Sequence, residues 1–168
     1  MREKKVRGIK QKTENMVKRI KENTAVFPTD FYNGYWHMHL PVHQGFINSD
    51  QTPRKVKQLC MQTLIERVAY LKDLKPYDQV EYRVVASIDF PSLWNSQIIV
   101  FKGNEHFQDF FIREDEDQKW IPLPETRNVR AEWNLDVPED LSISGFKEII
   151  DDEEGYYENE IWFIGDSK

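Results

Sequence analysis

The spacing of apolar residues changes period from 3.6 to 2 at Lys75-Pro76, and this change limits the fold more than any other feature of the chain. From Pro53 to Leu74 the positions Val56, Leu59, Cys60, Thr63, Leu64, Val68, Leu71 and Leu74 follow the three- and four-residue steps of a helix buried along one side. Thr52 stands where a hydroxyl caps the first turn, Pro53 suits the first helical position, and Lys75-Pro76 ends the run. From Val80 to Phe90 the period is two: Val80, Tyr82, Val84, Ala86, Ile88 and Phe90 alternate with Glu81, Arg83, Val85, Ser87 and Asp89. That pattern predicts a strand with one dry and one wet face. A long helix handing over to strands joined by short turns defines an α+β chain with an antiparallel sheet packed against one long helix.

The remaining segments extend the sheet. Tyr35 to Leu40 is predicted as a strand between the Asn33-Gly34 turn and Pro41. Gln97 to Phe101, Phe107 to Ile112 and Trp120 to Leu123 are predicted as further extended pieces. Ser144 to Ile150 and Tyr156 to Ile164 read as a hairpin about the acidic turn at Asp151 to Gly155. Residues 125–135 suit a short helix held by Val129 and Trp133. At the N-terminus, Val6, Ile9, Thr13, Met16, Val17 and Ile20 form a narrow stripe on a basic amphipathic helix over residues 3–22. The expected organisation is one domain, residues 1–168, with a basic helical arm (1–24) and an α+β body (25–168).

Charge divides the chain in the same place. Residues 1–22 hold nine Lys or Arg against three Glu, whereas the remainder holds fourteen basic and twenty-six acidic residues. The arm can lie on the acidic body, or Lys4, Lys5, Arg7, Lys10, Lys12, Lys18 and Arg19 can track a nucleic-acid backbone. Mean hydropathy is low at -0.71, but five Trp, seven Tyr and ten Phe supply the apolar area a folded core needs. The stripe of the arm lacks Trp, Phe and Leu, no run is long enough to span a membrane, and the N-terminus is charged where an export signal is apolar. A cytoplasmic setting is expected.

Chemistry-bearing motifs are scarce. A single cysteine, Cys60, excludes an internal disulfide and a multi-cysteine zinc site, and its place among helical apolar residues suits the core. No Gly-x-Ser-x-Gly elbow, phosphate loop or dinucleotide fingerprint is present. Three of the four histidines cluster in Tyr35-Trp36-His37-Met38-His39-Leu40-Pro41-Val42-His43. Strand alternation puts His37 and His39 on one face, about 7 Å apart along the backbone, with Trp36, Met38 and Leu40 on the other. The expectation is a solvated histidine face and no metal or cofactor. If a metal is held, the ligands are His37, His39 and His43; if catalysis occurs, His37 and His39 act with a carboxylate from Asp30, Asp50 or Asp89. Paired-histidine phosphoesterases need two His-x-Thr/Ser motifs, which His37-Met38-His39 and His106-Phe107-Gln108 do not supply.

Two acidic clusters, Glu114-Asp115-Glu116-Asp117 and Asp151-Asp152-Glu153-Glu154, fall on predicted loops. Together with the aromatic positions Tyr32 and Trp36 they are the expected contacts for a protein partner, since complementary charge selects partners and speeds encounter. The leading expectation is therefore a protein-binding module of inhibitor, immunity or antitoxin type. A small hydrolase using His37 and His39 is the alternative, and nucleic-acid binding through the arm comes third. Oligomeric state is not encoded in any motif.

The run Phe27-Pro28-Thr29-Asp30-Phe31-Tyr32-Asn33-Gly34-Tyr35-Trp36-His37-Met38-His39-Leu40-Pro41 resembles an uncharacterised family of small Gram-positive bacterial proteins. Ser96-Gln97-Ile98-Ile99-Val100-Phe101 and the segment from Gly155-Tyr156-Tyr157 to Gly165 resemble it as well. The resemblance spans almost the whole chain. It implies a bacterial cytosolic protein and carries over no activity and no catalytic residue.

Overall fold

The structure, a computed structural model, describes residues 8–27, 35–39, 52–74, 80–90, 93, 96–103, 118–122, 129–150 and 156–167. Its elements in chain order are α1 (Ile9–Asn23), β1 (Tyr35–His39), α2 (Arg54–Leu74), β2 (Tyr82–Phe90), β3 (Gln97–Lys102), β4 (Gln118–Pro122), α3 (Val129–Trp133), β5 (Ser142–Ile150) and β6 (Tyr156–Asp166). Among the described residues the strands form a six-stranded sheet in the order β1-β3-β2-β6-β5-β4. Every neighbouring pair is antiparallel, so the chain is an α+β protein.

Helix α2 starts where Pro53 accepts hydrogen bonds from the backbone amides of Val56 and Lys57, at 2.9 and 3.3 Å. Cys60, Met61, Leu64, Ile65, Val68 and Leu71 are buried. They meet the sheet face built from Val84, Ala86 and Ile88 of β2, Ile98 and Val100 of β3, and Ile161 and Phe163 of β6. The buried stripe differs from the predicted one: Leu59 and Leu74 are exposed, while Met61 and Ile65 are wholly buried. The apolar arc is wide and centred one position further along the helix, which a count of three- and four-residue steps does not resolve.

The opposite sheet face corrects a second expectation. Val85 and Ser87, assigned to the wet side of the Val80–Phe90 strand, are buried. Val85 joins Ile99, Phe101 and Trp162 in a second apolar cluster, flanked by Tyr35 and Ile164. Residues directly opposite in an antiparallel ladder share a face, and Val85 pairs with Ile99 on one side and Ile164 on the other. The centre of the sheet is therefore dry on both faces. The predicted strand at Phe107 to Ile112 lies outside the described residues.

Helix α1 buries Thr13, Met16 and Ile20 against α2. Gly8 precedes it at φ 75°, a left-handed conformation open to glycine without steric strain. At its far end Arg67 of α2 donates to Thr24 Oγ1 (2.6 Å) and to the Thr24 carbonyl (2.8 Å), and the Tyr70 hydroxyl donates to the Ala25 carbonyl (3.0 Å). A guanidinium on the terminal carbonyls satisfies acceptors that the helix leaves open and complements its dipole.

The segment after α3 is strapped along α2. Arg54, Gln58 and Gln62, four residues apart, donate to the carbonyls of Glu132, Asn134 and Asp136, with the two glutamine contacts at 3.0 and 2.8 Å. The side-chain Oε1 of Gln62 in turn accepts from the Asp136 backbone amide at 2.9 Å. One helix face thus satisfies carbonyls at the end of α3 and in the chain that follows it, while Leu135 and Val137 turn into the core.

Candidate functional site

Among the described residues strand β1 is the last of the sheet and is paired with β3. Its register sets Tyr35 opposite Phe101, His37 opposite Ile99 and His39 opposite Gln97. Alternation then sorts the strand. Met38 is buried and Trp36 half-buried against the α2-side core, while His37 and His39 stand exposed on the other face.

On that outer face the rings form a row. Phe101, wholly buried, lies 6.1 Å from the Tyr35 ring, Tyr35 stacks 5.9 Å from His37, and His37 meets His39 edge-on at 5.0 Å between ring centres. Partial burial of the ring pulls the His37 pKa below the ordinary histidine value, and the neighbouring His39 pushes it the same way. A neutral imidazole offers a lone pair for a metal or a proton, so the row can donate, accept and stack.

Among the described residues no group of three or more His, Cys, Asp or Glu side chains is arranged to hold a metal. Of the carboxylates named from the sequence, Asp89 belongs to β2, two strands from β1, and pairs through its backbone with Glu160. Asp30, Asp50 and His43 lie outside the described residues, as do Tyr32, Glu114, Asp115, Glu116, Asp117, Asp151 and Asp152.

The basic arm is divided similarly. Lys4, Lys5 and Arg7 are outside the described residues, while Lys10, Lys12, Lys18 and Arg19 are exposed on α1. Two of those lysines face acids one turn on, Lys10 to Glu14 at 3.9 Å and Lys18 to Glu22 at 3.6 Å. Cys60 is wholly buried, its thiol 3.7 Å from the Met16 sulfur, and burial pushes its pKa up to about 12. A thiol held neutral in this way is a core group and not a nucleophile.

A groove of about 550 Å³ runs between α1 and α2, floored by Val17, Ala25 and Leu59 and rimmed by Glu14, Lys18, Lys21 and Glu22. Sequence reasoning missed this groove because it placed Leu59 in the core. It also missed the buried Lys72, which pairs with Asp73 at 2.8 Å and with Asp140. Nothing local marks Lys72 as special, since its second partner lies 68 positions away. Among the described residues, no helix is long and apolar enough to cross a membrane.

An antiparallel sheet packed on α2, with a ring-bearing strand at one end, is the frame in which sequence comparison can be placed. The profile of the family described as a protein of unknown function, DUF3916, matches residues 17–166, and the chain belongs to that family. No curated protein and no solved structure matches it.

Proposed function

We propose that this protein acts by binding another protein along the β1 end of its sheet. The observation that carries this reading is the row of Tyr35, His37 and His39 side by side on one face of β1, with both histidines exposed. A row of rings offers a partner contacts with little rotamer entropy to lose. The net charge of -6 favours a basic partner surface.

Site-specific photocrosslinking in the native cell tests it. A benzophenone side chain placed at His37 or His39 is expected to trap one and the same protein, and one at Glu66, exposed on α2, to trap none. Equal trapping from all three positions, or none from β1, would overturn the reading. Tyr35→Ala is expected to weaken the captured complex by about tenfold, the size typical of a well-packed aromatic contact.

A further inference from the structure

The two exposed imidazoles of β1 support a second use, independent of any protein partner. We propose that His37 and His39 together form a two-imidazole chelate for a first-row transition ion such as Zn²⁺. Ring separation carries the argument. With a nitrogen–zinc bond of about 2.1 Å and about 1.1 Å from ring nitrogen to ring centre, each ring centre stands about 3.2 Å from a shared ion. Two such rings are about 4.5 Å apart at a right angle and about 5.2 Å apart at the tetrahedral angle. The observed 5.0 Å falls between these limits, so the two rings already stand at the spacing that sharing one ion requires.

The backbone is already committed to this spacing. His37 and His39 are two apart on a strand held in register by Ile99 and Gln97 of β3, so binding orders side chains alone. Both rings are exposed, so an ion reaches them without opening the core. The two imidazoles are the ligands that the described residues supply, and a tetrahedral ion takes four. Imidazole selects borderline ions, with Cu²⁺ bound more tightly than Ni²⁺ or Zn²⁺, and leaves Mg²⁺ and Ca²⁺ to oxygen donors.

Calorimetric titration of the full-length protein with Zn²⁺, and separately with Mg²⁺, tests the site. One Zn²⁺ per chain and no Mg²⁺ binding are expected. His37→Gln and His39→Gln should each weaken Zn²⁺ binding by about tenfold or more, because each leaves a single imidazole. Glu66→Gln and Glu139→Gln, exposed positions outside β1, should leave it unchanged. Circular dichroism should match across all four variants, and Zn²⁺ should raise the thermal midpoint of the wild type but not of the His37 and His39 variants. Absence of Zn²⁺ binding at micromolar metal overturns the proposal, as does equal loss in all four variants or binding that survives in both β1 variants.

Discussion

Gly165 and His37 belong to one sheet, three strands apart, and obey opposite constraints. Gly165 lies where α2 and the strap close onto β6. A Cβ added there would sit 2.8 Å from Leu141 Cδ2, 2.8 Å from Lys72 Cδ and 3.2 Å from Val68 Cγ1. His37 stands on a strand whose pairing with β3 runs through the backbone and does not use its side chain. At the first position, a single added carbon meets three side chains that must shift to admit it. At the second, the backbone fixes place and leaves chemistry free, which is the usual relation between a scaffold and the groups it displays.

The largest expected effect breaks the packed end of this contrast. Gly165→Val should destabilise the protein by about 3 kcal/mol and Gly165→Ala by about 1–2 kcal/mol, because overpacking forces Leu141, Lys72 and Val68 to shift. Urea unfolding at constant m-value reads both, and a neutral Gly165→Ala would show that the helix does not close tightly on β6.

Lys72 sharpens the contrast at smaller scale. Its stem packs beside Gly165, its side chain is 9% exposed, and its ammonium meets Asp140 and Asp73. The hydrogen bond to Asp140, then that to Asp73, holds its pKa above the ordinary lysine value of 10.5. A group whose folded pKa is raised lends stability that is whole below its unfolded pKa and fades as pH rises through the folded one. Lys72→Met keeps most of the stem and loses the charge, so it should cost about 1 kcal/mol at pH 7, since both aspartates are solvated. The gap between wild type and variant, followed by urea unfolding, should shrink above pH 10.5. A gap that stays constant at high pH would assign the loss to packing.

The packed region was partly legible in the sequence, and its limits were physical. The period change at Lys75-Pro76 falls between the end of α2 at Leu74 and the start of β2 at Tyr82, because Pro76 and helical spacing act locally. Strand pairing and the second apolar cluster depend on partners far along the chain. Trp162 and Val85 come together only once β6 lies against β2, so the burial of Val85 and Ser87 could not be read from alternation. Gln58 and Gln62 look like ordinary solvated residues until the backbone of residues 134–136 arrives beside them. At β1, alternation alone assigns His37 and His39 to one face, and that is how they lie. Their ring separation, on which metal chemistry turns, is set by rotamers that no sequence pattern encodes.

The smallest expected effect tests the displayed end. In metal-free protein, His37 should titrate below the ordinary histidine value of 6.5, with burial the larger cause and His39 the smaller. The unfolded chain then takes up this proton more readily than the folded one, so His37 disfavours folding as pH falls below about 6.5 and has no effect well above it. Proton NMR of the imidazole Cε1–H signal gives the midpoint directly. His39→Gln removes the charge effect and leaves the burial, so the His37 midpoint should rise but stop short of 6.5. Complete recovery in that variant would make His39 the dominant influence and reduce Ile99, opposite His37 in the ladder, to a bystander. Partial recovery would place the ring against the dry sheet centre, so that the boundary between packed and displayed residues runs through the His37 side chain itself.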